Sequence, residues 1–252
     1  LRWSLTGIIL VWWFPIPKEY LKKLLIVSFI ACTFQYSLTF SGLNIIDASS
    51  AVLFVQFEVP FGILIAFFWL KERPKAKNLI GLAIAFIGLI ILSGSPNLQG
   101  KYLGVLLVLS GAFTWALGQV LIKPITEKLH GIVITAWLGI LAGPQLILAS
   151  QLFEGNVITY INNANYEGWI IVIYLGLLMN ALGYSIWYYV LGRFPINKIL
   201  PVMLLLPVTG VLTAIILLGE RPNLKVFIGG FIILFGVGMI LIDKNVKVNN
   251  DI

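Results

Sequence analysis

Val59-Pro60-Phe61-Gly62-Ile63-Leu64-Ile65-Ala66-Phe67-Phe68-Trp69-Leu70-Lys71-Glu72-Arg73-Pro74 is an apolar run that halts at a charged triplet before a proline. The pattern returns as Pro207-Val208-Thr209-Gly210-Val211-Leu212-Thr213-Ala214-Ile215-Ile216-Leu217-Leu218-Gly219-Glu220-Arg221-Pro222. Matched glycines follow each Glu-Arg-Pro, Gly81 with Gly229 and Gly88 with Gly236, and Tyr36-Ser37 upstream matches Tyr184-Ser185 at the same offset. The chain is therefore read as a tandem duplication, and everything else is placed relative to it.

Composition places the duplication in a membrane. Of 252 residues, 60% are hydrophobic and 11% charged, against roughly 25% charged in a soluble domain. The excess is spread over successive apolar runs near the length of about 20 residues that crosses a bilayer. The net charge of +7 does not point to nucleic acid, because the basic residues sit in short hinges and form no basic face or nucleic-acid motif. The single cysteine, Cys32, excludes a disulfide framework and a cysteine-rich metal site. No His, Cys, Asp or Glu cluster has metal spacing, and no glycine-rich phosphate loop supports ATP-driven work, so no metal and no cofactor is expected. No cleavable signal peptide pattern is present.

Nine apolar segments are expected: 1–14, 24–43, 48–70, 79–92, 102–122, 132–153, 169–191, 198–218 and 226–242. Pro15 and Pro17 end the first, and the Ser/Gly/Pro/Asn loop before Lys101 divides the halves. Glu154 to Glu167 is the longest connection. Four segments precede the boundary and five follow it, so a helix before residue 1 is expected to be missing from this chain, which starts with Leu1. Thirteen of the 17 Lys and Arg residues fall in alternate connections, and the other four are Arg2, Lys101, Arg221 and Lys225. The positive-inside rule then predicts a cytoplasmic C-terminus and Lys71-Glu72-Arg73-Pro74 on that same side. An odd number of helices per copy inverts the second copy, a recurring build of secondary transporters with the site near the midplane.

Gly111-Ala112-Phe113-Thr114-Trp115-Ala116 and the two Pro…Glu-Arg-Pro…Gly blocks resemble the drug/metabolite transporter superfamily, EamA type. Tyr184-Ser185-Ile186-Trp187, Leu191-Gly192-Arg193-Phe194 and Leu206-Pro207-Val208 look most like its O-acetylserine/cysteine exporter branch. The resemblance covers nearly the whole chain. It implies an all-α polytopic membrane protein, an inverted repeat of two five-helix bundles with ten helices in the family and about nine here. It divides the chain into residues 1–95, 102–243 and a cytoplasmic tail 244–252. It further implies a multi-pass protein of the plasma (inner) membrane that exports a small amino-acid-like metabolite or drug and is not an enzyme. Glu58 departs from the pattern, standing where the family usually has an uncharged residue.

Glu58 is the only acid deep in an apolar run. An ionised group at mid-bilayer costs about 2.5–3.5 kcal/mol on insertion scales, so it reads either as a proton or cation site or as a neutral acid hydrogen-bonded within the bundle. Asn180, Tyr184 and Trp187 share a helix face by their spacing, as do Trp115 with Gln119, and Gln56 with Pro60. With Tyr36, they are expected to line one central cavity, polar tips on aromatic walls. The competing reading makes the amides interhelical glue and Trp187, Tyr188 and Tyr189 an interfacial belt. Pro60, Pro144, Pro201 and Pro207 lie within apolar runs and predict kinks. Gly81, Ala85 and Gly88 form a small-residue ridge expected to pack on the Gly229/Gly236 helix. Glu72-Arg73 and Glu220-Arg221 are expected to be hinge ion pairs, and His130 a solvated side chain. The function classes left open are a secondary transporter, an intramembrane enzyme and a membrane scaffold. The partners expected are a small-molecule substrate, the lipid bilayer and protons, with no nucleic acid.

Overall fold

The computed structural model describes residues 1–94, 100–153, 155, 157–219 and 221–242. Glu220 and the tail 244–252, which the sequence reading used, lie outside the described residues. Among the described residues the chain is helical and contains no strand. The first half runs α1 Arg2–Leu10, α2 Lys18–Val27, a π-helical stretch Ser28–Phe34, α3 Gln35–Leu43, α4 Ala48–Val55, α5 Glu58–Trp69 and α6 Ala76–Ser93. The second runs α7 Tyr102–Thr126, α8 Gly131–Phe153, α9 Val157–Asn162, α10 Tyr166–Tyr174, a π-helical stretch Leu175–Tyr184 and α11 Ser185–Arg193. It ends with α12 Ile196–Ile199, a 3-10 turn Leu200–Leu205, α13 Leu206–Leu218 and α14 Leu224–Leu241. Among the described residues, eight continuous stretches are long and apolar enough to cross a bilayer. Large apolar side chains point outward, Ile216 76% and Phe231 73% exposed, which suits lipid and not water.

Several boundaries differ from expectation for identifiable reasons. The segment 48–70 is not one smooth helix. Pro60 has no N–H to give the Gln56 carbonyl, Val59 N–H takes that carbonyl instead at 3.1 Å, and the helix breaks at Gln56-Phe57 between α4 and α5. Pro201 and Pro207 do the same to 198–218, leaving a 3-10 turn between α12 and α13. The two breaks fall at equivalent positions of the duplication. The connection 154–167 holds the short helix α9. The hinge lysines Lys18, Lys22 and Lys23 are already helical, in α2.

Two compact units form, and neither is a sequence half. The first joins Leu1–Ser37 to Leu117–Arg193; the second joins Leu38–Ala116 to the stretch from Phe194. In the first unit α1 lies antiparallel on α8. A Cβ placed on Gly139 would sit 2.6 Å from the Gly7 nitrogen, and one on Gly143 2.9 Å from the Ser4 Cα. In the second unit α6 and α14 pack the same way. A Cβ on Gly81 or on Gly88 would lie 2.7 Å from the carbonyl oxygen of Gly236 or of Gly229 respectively. The first glycine of each copy thus meets the second glycine of the other, a local two-fold that an inverted duplication produces. The expected small-residue ridge is this contact.

Candidate functional site

In the second unit a cleft of about 970 Å³ opens beside the two interrupted helices. Val55 and Gln56 line it from the α4 break, Leu206, Pro207 and Gly210 from α13, and Asn223 from the N-cap of α14. Its walls are otherwise apolar. Gln56 is 4% exposed and its side-chain amide oxygen Oε1 has no hydrogen-bond partner among the described residues. An unmet buried acceptor on a large apolar cleft is the make-up of a small-molecule site. Interrupted helices with freed backbone groups are where transporters bind their substrates. Glu58 is buried two residues on, the first residue of α5. The N-terminal end of a helix carries partial positive charge, so the break that makes the cleft also gives this carboxylate a favourable place. Phe57, next to it, meets Phe86 edge-on at 5.4 Å, and Phe61 meets Phe113 at 5.7 Å. These rings hold the α5 side of the break. Trp115, the third predicted residue in this unit, is half-buried on α7 and does not line the cleft.

The other five predicted residues belong to the first unit. Tyr36 lies just after the first π-helical stretch and Tyr184 closes the second; such wider turns are frequent at functional positions. The two hydroxyls are hydrogen-bonded to each other, and Tyr36 also accepts from the Arg2 guanidinium. Trp3 packs on the Tyr184 ring at 4.9 Å, and Tyr188 lies 5.9 Å from Tyr184 on the other side. Trp187 donates its indole N–H to the Gln119 carbonyl at 2.8 Å, so these two are joined as their spacing on separate helices could not show. Asn180 is fully buried, and neither its amide nitrogen nor its oxygen has a partner among the described residues. Of the eight predicted residues, Gln56 alone lines the cleft.

Sequence reasoning missed three parts of this unit. Gln145 accepts from Thr33 and donates to Ser28, both at 2.9 Å, bridging α8 to the π-helical stretch; a polar residue just after Pro144 in an apolar run was the available signal. Trp3, read only as part of the first apolar segment, is 2% exposed. Arg2 was counted among the connections, and the structure corrects this. The Gly7–Gly139 and Ser4–Gly143 register sets Arg2 level with residue 145, well inside the span Gly131–Leu152. The hinge also differs from expectation. Glu72 pairs with no arginine among the described residues. Its two carboxylate oxygens accept the backbone N–H groups of Ile196 and Asn197 at 3.2 and 3.3 Å.

The EamA-like transporter family matches residues 1–94 and 102–242. The chain belongs to that family. It is 28% identical over 246 residues to a "Probable amino-acid metabolite efflux pump" of Escherichia coli (strain K12), covering 94% of this chain and 82% of that one. The protein of the same description from Salmonella typhimurium matches with equal identity and coverage. An "Uncharacterized transporter YoaV" of Bacillus subtilis (strain 168) is 24% identical over 229 residues, covering 89% of this chain and 77% of the relative. A solved crystal structure superposes with a TM-score of 0.81 at 16% identity, covering 95% of this chain and 85% of that one. This EamA protein is thus a multi-pass membrane transporter, and the helical fold expected of it is the one observed. The exposed apolar helix faces are lipid-facing surface.

Proposed function

We propose that this EamA transporter exports a small amino-acid-like metabolite by alternating access and carries out no catalysis. The observation that carries the reading is the cleft beside the two broken helices, with the unmet Gln56 side-chain amide oxygen on its wall. A site at equivalent breaks of an inverted duplication can open to one face and then the other as the two copies exchange conformations. The apolar lining with two amides, Gln56 and Asn223, suits a compact, weakly charged cargo, and the efflux-pump relatives support the same class. Glu58, at the start of α5 beside Gln56, is the proposed coupling group: exchange of its proton as the cleft opens and closes would drive cargo against its gradient. The split of basic residues supports a plasma (inner) membrane orientation with the C-terminus in the cytoplasm.

The test is reconstitution of the intact protein in vesicles, loaded with radiolabelled amino acids one at a time. We expect counterflow for at least one of them, and accumulation driven by an imposed pH gradient. Glu58→Gln is expected to keep counterflow and lose at least tenfold of the gradient-driven component. Unchanged gradient-driven transport in that variant removes Glu58 from coupling. Absence of counterflow across the set, while another solute class moves, removes the amino-acid reading. A cysteine placed at Asn163 in a Cys32→Ala background should react with an impermeant thiol reagent from outside cells; reaction only after permeabilisation reverses the orientation.

A further inference from the structure

Arg2, in the first unit, is a charge that the fold does not explain. A cation at this depth is costly, and such residues sit where they have work to do. Among the described residues no carboxylate pairs with it. Its guanidinium carries five N–H donors. Tyr36 receives one of them through its hydroxyl and offers its ring face, 5.0 Å from the guanidinium carbon. Both interactions leave the positive charge unbalanced.

The surroundings supply neutral hydrogen-bonding groups that are also unspent. Asn180, fully buried, has both amide atoms without partners, and the indole N–H of Trp3 is buried and likewise unmet. Each such group is destabilising if nothing meets it. They are not scattered. Trp3 adjoins Arg2 in sequence and packs on Tyr184. Gly176, one turn before Asn180, lies against the Arg2 backbone carbonyl and Leu5, and Thr6 donates to the Gly176 carbonyl at 2.6 Å. Asn180 therefore sits on the π-helical stretch between the point that touches α1 near Arg2 and the tyrosine that touches Trp3.

We propose that Arg2, with Tyr36, Tyr184, Trp3 and Asn180, forms an anion subsite within the first unit that takes the carboxylate of an amino-acid-like metabolite. One positive charge surrounded by neutral donors balances one negative charge, which selects a monoanion over a phosphate dianion. The planar guanidinium fork matches a carboxylate in a way a lysine ammonium does not. The inference deepens the amino-acid exporter reading and rests on it.

The experiment is ligand-induced thermal stabilisation of the intact protein in detergent, with intrinsic tryptophan fluorescence as a second readout of binding. The probes are L-amino acids, their carboxamides, their decarboxylated amines and the matching carboxylic acids without the amino group. We expect stabilisation by free acids and not by carboxamides. Arg2→Gln should weaken the effective acid at least tenfold, Arg2→Lys less, and Asn180→Leu several-fold. The unliganded melting temperature of each variant shows whether it is folded, and Arg2→Lys keeps the question open if Arg2→Gln is not. Equal binding of acid and carboxamide, or an Arg2→Gln variant that binds the acid as wild type does, overturns the subsite. Amines binding while no carboxylate does overturns the subsite and leaves an exporter of another class. Carboxylates without an amino group binding in an Arg2-dependent way uphold the subsite and overturn only the amino-acid part of the reading.

Discussion

The N-termini of α4 and α12 stand at equivalent positions of the duplication, yet each is closed differently. At α4 the residue before the helix is Asp47, whose carboxylate accepts the Ser50 N–H at 2.9 Å and the Ser50 hydroxyl at 3.0 Å. At α12 that position is Pro195, which offers no side-chain cap, and Glu72 arrives from a hinge more than a hundred residues away to accept the Ile196 and Asn197 N–H groups. The orphan donors of a helix start must be met somehow. A local cap travels with its own helix, whereas a cap drawn from a distant hinge ties two elements together and is broken when they part. The same two copies agree where backbones touch, at Gly81 on Gly236 and Gly88 on Gly229, and differ again at their hinges. Lys71 is left-handed at φ 57° and its counterpart Gly219 at φ 67°.

The contrast is broken most severely at the contact the copies share. Gly88→Leu puts a side chain where the Gly229 carbonyl oxygen and the Ile233 nitrogen lie 2.7 and 2.8 Å from the first added carbon. Neither is a side chain that could swing aside, so overpacking should cost about 3 kcal/mol or more and abolish transport. Thermal unfolding in detergent checks this, with Gly238→Ala as control because nothing lies within 4 Å of its Cβ position. A wild-type melting curve for Gly88→Leu would place the two helices apart.

The caps come next in size. Glu72→Ala leaves two backbone donors unmet at Ile196 and Asn197, both buried residues, and should cost about 1–3 kcal/mol. Asp47→Ala should cost about 1 kcal/mol, the usual loss of an N-cap. The Lys101 contact to Asp47 at 3.5 Å is partly exposed and adds little. Pro195→Asp supplies the local cap that α12 lacks, so the loss from Glu72→Ala should shrink in its presence; a double-mutant cycle that finds the two additive would show that Glu72 is not acting as the cap. The smallest effect is at the hinge. Lys71→Gly removes the left-handed penalty of about 1 kcal/mol and should raise the melting temperature by a few degrees, while Gly219→Lys should lower it by a similar amount. A fall for Lys71→Gly would mean the lysine side chain does more than occupy the turn.

The duplication, the spans and the inversion were legible because each is a pattern in one dimension. Apolar runs show their length, glycines repeat at fixed offsets, and an odd helix count inverts the second copy. Prolines marked both helix breaks, since the missing N–H is a property of the residue itself. The Asp47 cap was equally readable, because the carboxylate and the donor it meets lie three residues apart. What tertiary structure alone decided depends on residues distant along the chain. Glu72 looked like half of a Glu-Arg pair until the fold set its carboxylate on the start of α12. Asn180 read either as a cavity residue or as interhelical glue, and only burial showed its amide atoms and the Trp3 indole N–H without partners among the described residues. Arg2 read as a connection residue because depth in a bilayer is not a property of sequence position. The antiparallel register of Gly7 and Ser4 on α8 put that charge inside the span, and only a neighbour in space can set the depth of a helix that begins at the edge of the chain.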